Sequence, residues 1–175
     1  MESVAIADNE TIRPSFIDVE ASGLGRGSYP IEVGLALANG GSACVIIRPQ
    51  AQWKHWDSSA QALHGISRET LECFGRSPLE AATFINQLLV GQVVYSDAWG
   101  NDSSWLALLF DCAGIPLDFK LDSLRSLLSE EQVAIWHKTK EAVVAQQAFT
   151  RHRASNDALI LQHTYCRIDK LVNKH

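Results

Sequence analysis

Between Ser15 and Glu20, Phe16, Asp18 and Glu20 fall on one face and Ile17 and Val19 on the other, the two-residue period of a β-strand. The stretch SGLGRGSYP that follows reads as a turn. Two further apolar and β-branched runs, Ile31 to Ala38 and Ala43 to Arg48, flank Asn39-Gly40-Gly41, a strong hairpin signal, so three antiparallel strands are expected in succession. Pro49 to Gly75 reads as loop with short helical pieces. Pro78 to Leu89 reads as a helix with proline in its first turn. Val93 to Tyr95 has the character of a buried fourth strand, and Leu117 to Leu121 that of a short fifth one. The stripe Asp102, Leu106, Leu109, Ala113 predicts a helix that stops near Gly114-Ile115-Pro116. Glu130 to Phe149 is expected to contain one long helix, and Leu161, Tyr165, Ile168 and Val172 mark a last one. Strands first and helices later predict a mixed five-stranded sheet flanked by helices, an α/β layer fold.

Composition narrows the classes. A chain of 175 residues with 46% hydrophobic and 20% charged residues is expected to form one domain with a real core. No apolar run reaches the length of a membrane span, and MESVAIADNE lacks a basic stretch followed by an apolar one, so the cytoplasm is the expected compartment. Cys44, Cys73, Cys112 and Cys166 contain no CxxC pair, which argues against a zinc ribbon or a redox motif and for buried free thiols. A net charge of −5 argues against a protein that coats nucleic-acid backbone, but not against an enzyme that grips a strand end.

Asp18 and Glu20 carry the strongest chemical signal. Adjacent on one strand face they repel, and burial without compensation costs several kcal/mol, so the face either meets water on an edge strand or meets a cation. Hard divalent cations take such oxygen ligands. Asp102 and Asp157 each stand at a helix entrance on the core-facing side, where capping alone is the competing reading. His152, five residues before Asp157 in H-R-A-S-N-D, is placed beside such a cluster and has the chemistry of a general base.

The order DxE on an early strand, a lone Asp opening a mid-chain helix and HxxxxD opening a late one resembles the DEDDh family of 3′–5′ exonucleases, over roughly Phe16 to Tyr165. The resemblance implies a ribonuclease H-like fold over a single domain, residues 1–175, with its catalytic core at about 14–170. It also implies release of nucleoside 5′-monophosphates from 3′ ends of single-stranded DNA or RNA with two divalent cations, Mg²⁺ or Mn²⁺. Asp18, Glu20, Asp102 and Asp157 would be the ligands and His152 the base. Ala21, Ser22, Gly23 and Leu24 would line the terminal nucleotide, and Leu63 and His64 would contact terminal bases. Where the family often has His-Asn, this chain has Ser96-Asp97, so Asp97 competes with Asp102. Several small members dimerise, so a homodimer is compatible with the resemblance.

Other signals are weaker. Gly23, Gly25 and Gly27 suggest a phosphate loop, but a strand-like run follows them rather than a helix, so they read as a turn. Trp53, Trp56, Trp99 and Trp105 default to packing, with Trp56 and Trp99 the better base-stacking candidates. Arg151 and Arg153 either hold phosphate or form a solvated basic loop. His163 and Cys166, three apart on the last helix, read as a partly buried helix face. Two other functions stay open: an inactive relative that binds nucleic acid or protein, and another metal phosphodiesterase, distinguished by whether products leave one nucleotide at a time from the 3′ end.

Overall fold

The computed structural model describes residues 13–146 and 152–173. Five strands, β1 (Ser15–Ala21), β2 (Pro30–Ala36), β3 (Ser42–Ile46), β4 (Val93–Ser96) and β5 (Lys120–Ser123), form one sheet in the order β3-β2-β1-β4-β5. The first three are antiparallel neighbours, while β4 lies parallel to β1 and β5 parallel to β4. The mixed five-stranded sheet read from the sequence is therefore present.

Seven helices complete the described chain: α1 (Ser58–His64), α2 (Arg68–Phe74), α3 (Pro78–Leu89), α4 (Trp99–Ala113), α5 (Leu124–Leu127), α6 (Glu130–Gln146) and α7 (Ala154–Val172). The short pieces expected between Pro49 and Gly75 are α1 and α2, started by the side chains of Asp57 and Ser67 and ended at Gly65 and Gly75. A capping box between Ser77 and Glu80, with Pro78 in the first turn, sets the start of α3. Helix α4 begins earlier than its apolar stripe because the amides of Asn101 and Asp102 already bond to the Ala98 carbonyl. β5 lies three residues later than its apolar run, paired Val93 to Lys120 through Ser96 to Ser123. The end of the long helix expected to Phe149 lies outside the described residues.

β1 is hydrogen-bonded to β2 along its length and to β4 at its start, and α4 and α7 pack on it from the helical layers. Ile17 and Val19 enter the main core with Val33, Ala82, Ile85, Leu106 and Leu109. Phe16, on the opposite face, packs in a second cluster with Leu124, Leu128, Ala158 and Leu161 beneath α7. Asp18 and Glu20 share the α7 side of the strand with Phe16, so the paired acids lie half-buried under a helix rather than on an open face. The cysteines correct an expectation: Cys44, Cys73 and Cys112 are exposed and Cys166 half-buried. Cys44 lies on the sheet's outer strand, and Cys166 lines a cavity with Val143 and Gln146 of α6. No described helix is long and apolar enough to cross a membrane.

Candidate active site

The site forms where two parallel strands and one helix end together. β1 and β4 pair only through Ser15 to Val94 and Phe16 to Tyr95, so beyond these pairs the carboxyl ends of the strands part. Crevices at such strand ends are favoured ligand positions in α/β sheets. Asp18 and Glu20 lie on the free half of β1, Asp97 follows β4, and the first turn of α7 brings Asp157. Together with Val19, Lys140, His152 and Leu161 they line a cavity of about 200 Å³. One oxygen each from Glu20 and Asp157 and a ring nitrogen of His152 lie within 4.8 Å of one another.

Asp102 occupies a different position. It is buried in the first turn of α4 and is not among the residues that line the cavity, and its Oδ2 accepts the Ser96 hydroxyl hydrogen. Its carboxyl is near enough to Asp18 to raise that group's pKa. Neither acid caps its helix in the usual manner, since α4 and α7 have no side-chain cap bond. Asp157 instead accepts the His152 backbone N–H at 2.8 Å, and His152 is the one described non-glycine residue with positive φ, 62°. That bond closes the HxxxxD segment on itself and holds the histidine at the cavity wall.

Burial and mutual repulsion push the carboxyls upward together. Asp18 is raised well above the ordinary Asp range, first by burial and then by Asp102, Asp157, Glu20 and Asp97. Glu20 is pushed up to about 7 by burial, Asp157 and Glu32, against the opposing pull of Arg153. Asp102 is also raised to about 7 by burial, while the Ser96 hydrogen bond counters part of the shift. Such an arrangement favours either protons or bound cations. The donor set is oxygen-rich, with carboxylates from three separate elements, and suits hard divalent cations.

A buried ion pair braces the loop that carries His152. Glu32, directly opposite Glu20 in the β1–β2 register, has a fully buried side chain. Arg153 binds its carboxylate through Nε, 3.2 Å from each oxygen, and through Nη2 at 2.7 Å, and the Ala154 amide donates to it at 2.9 Å. Nearby, α7 lies so close to β2 that a Cβ on Gly34 would stand 2.0 Å from the Ala154 carbonyl carbon and the Ser155 nitrogen. The chain thus uses a glycine for close approach and a bidentate pair for register. The Arg153 alternative of a phosphate contact gives way to this pairing, and Arg151 lies outside the described residues.

The expected nucleotide-lining residues fall into two groups. Ala21, Ser22 and Gly23 are buried. Ser22 is committed to the fold, with its hydroxyl accepting the Tyr29 N–H and bonded to His55 Nδ1 at 3.1 Å. Gly23 has φ 143° and faces His55 and Asp57 so closely that a Cβ would clash with both. Leu24 and Leu63 are exposed. His64 is buried: its Nδ1 accepts the Ile66 N–H, and Nε2 has no partner among the described residues. Trp53 stacks on Tyr29 in the core, Trp56 bonds Gln61, Trp105 bonds Ser28, and Trp99 remains exposed. The three glycines after β1 all have positive φ and lead into β2, as a turn requires. His163 and Cys166 line a separate cavity with Arg13, Arg167 and Lys170.

Comparison with solved structures fixes the fold. The zinc-bound form of E. coli exonuclease I in complex with single-stranded DNA superposes with a TM-score of 0.70 at 12% identity, over 93% of this chain and 42% of that chain. The fold is ribonuclease H-like. A moderately thermophilic exonuclease I from Methylocaldum szegediense gives a TM-score of 0.68 at 12% identity, over 91% of this chain and 40% of that one. E. coli exonuclease I with a dA16 oligonucleotide gives 0.65, also at 12% identity, with 91% and 41% covered. The chain thus spans about two fifths of the length of these enzymes. No family model and no curated protein matches it in sequence.

Proposed function

We propose that this chain is a metal-dependent 3′–5′ exonuclease that removes nucleoside 5′-monophosphates from single-stranded ends, with Asp18, Glu20, Asp102 and Asp157 as the cation ligands. The observation that carries the reading is the convergence of Asp18, Glu20, Asp157 and His152 on one cavity, built on a buried central strand. Burial of such a cluster needs counter-charge, and the raised pKa values of Asp18, Glu20 and Asp102 express that need. The solved relatives in fold include exonuclease I bound to single-stranded DNA, which favours a strand end as the ligand.

Two divalent cations bound there would lower the pKa of an attacking water and clamp the attacking and leaving oxygens of an in-line displacement. The protein's own groups supply position and proton transfer. His152, at the cavity wall and steadied by its backbone bond to Asp157, takes the proton from the attacking water. Asp102 would complete the ligand set from α4, close to Asp18 and oriented by Ser96, and Asp97 is held by Lys140. The exposed Leu24 and Leu63 pack against terminal bases, which admits single strands without reading their sequence.

The test is release of mononucleotides from a labelled single strand in Mg²⁺ or Mn²⁺. Asp18→Ala and Asp157→Ala are expected to abolish it; full activity of either variant, or activity insensitive to chelation, contradicts the assignment. Matched DNA and RNA substrates in the same assay decide the sugar preference.

A further inference from the structure

The cavity contains a cation to which the exonuclease reading gives no role toward the substrate. Lys140 comes from α6 and reaches the same wall as Asp18, Glu20, His152 and Asp157, where its Nζ lies 2.8 Å from Asp97 Oδ2. We propose that Lys140 is a substrate-binding residue, whose ammonium leaves or shares Asp97 to contact a backbone phosphate oxygen of the entering strand. The phosphate as ligand rests on the exonuclease reading above.

Charge balance supports this. The lining carries four carboxylates, Asp18, Glu20, Asp97 and Asp157, which the two divalent cations of the exonuclease reading would offset, and the phosphodiester then adds a negative charge that still needs a partner. Among the lining residues, Lys140 is the only one with a permanent positive charge. Arg153, the described cation on the neighbouring loop, is committed to the buried Glu32 through three contacts. The Lys140 and Asp97 side chains are 29% and 32% exposed. They are shielded enough for charge attraction to matter, yet open enough for the ammonium to change partners. A lysine ammonium is a point charge on a flexible stem and reorients readily, unlike a bidentate arginine.

The competing account is that Lys140 and Asp97 only staple α6 to the end of β4. The two accounts separate in a comparison of Lys140→Met, Lys140→Arg and Asp97→Asn, using a 5′-labelled dT12 strand in Mg²⁺ over a salt series. A phosphate contact predicts that Lys140→Met raises KM about tenfold, the scale of one charge-assisted hydrogen bond. Its log–log salt slope should become shallower by about 0.7, the value for one contact to a single strand. Lys140→Arg should restore most of the KM, and Asp97→Asn, which frees the ammonium, should lower KM. Equal increases in KM for Lys140→Met and Asp97→Asn, or an unchanged salt slope in Lys140→Met, overturn the proposal. If the wild-type chain releases no mononucleotide, the exonuclease reading fails by itself. The anisotropy of the same labelled strand, titrated over the same salt series, then decides on Lys140 by the slope alone.

Discussion

Replacing Arg153 by methionine is expected to destabilise the protein more than replacing Glu32 by glutamine, because the two ends of the pair are unequally buried. The Glu32 side chain is 0% exposed and the Arg153 side chain 43%. Without the guanidinium, the carboxylate stays in the interior with the Ala154 amide as its remaining donor. Breaking a buried pair in that direction costs about 3–5 kcal/mol. Glu32→Gln leaves the arginine a route to water and keeps an acceptor for Ala154, so its cost is about 1–2 kcal/mol, the scale of replacing charge-assisted hydrogen bonds by neutral ones. Urea unfolding followed by tryptophan fluorescence measures both. With an m-value of about 2 kcal/mol per molar, Arg153→Met should lower the midpoint by about 1.5–2.5 M and Glu32→Gln by less than about 1 M. Equal shifts, or a shift for Arg153→Met below about 0.5 M, would refute the reasoning that a buried carboxylate depends on this arginine.

Metal-free stability should fall as pH rises. The folded chain holds protons on Asp18, Glu20 and Asp102 that the unfolded chain releases near 3.8 to 4.5, so this contribution is complete below about pH 4 and lost through about 7. Urea midpoints in chelator should decrease from pH 5 to pH 8, and Mg²⁺ should remove the decrease; a flat profile in chelator contradicts the assigned repulsion. Asp18→Asn should stabilise the chelated protein by on the order of 1 kcal/mol while abolishing cleavage, as expected where a functional site stores repulsion. Gly34→Ala should separate α7 from β2, seen as lost cleavage together with a lowered urea midpoint, because no Cβ fits against Ala154 and Ser155. His152→Ala should reduce kcat by about 10²–10⁴-fold with a smaller change in KM; the reverse pattern would make His152 a binding residue.

The parts of this molecule set by local pattern were legible in the sequence. The alternation from Phe16 to Glu20 placed Asp18 and Glu20 on one face, and Asn39-Gly40-Gly41 announced the hairpin that makes β1 to β3 antiparallel. Whether the acidic face met water or the interior depended on α7 packing over β1, which brings Ala158 and Leu161 against Phe16 from the far end of the chain and which no local period encodes. The surroundings of the two competing acids differ in the same way: Asp102 meets Ser96, six residues off, whereas Asp97 meets Lys140 from α6, 43 residues away. Glu32 left a trace, a lone acid in the otherwise apolar strand PIEVGLA, which calls for a buried partner. Its partner lies 121 residues away, beyond the reach of spacing arguments. Arg153 accordingly looked like a loop cation, and the cysteines looked buried because residue type alone favours burial.

The most direct test of the central claim is a time course on a 5′-labelled single strand with Mg²⁺, resolved to single nucleotides, for the wild-type chain and Asp157→Ala. A ladder shortening one residue at a time from the 3′ end, absent in the variant and abolished by chelation, is the predicted result. An intact strand with the wild-type chain, internal cuts, or a ladder that Asp157→Ala still produces would contradict it.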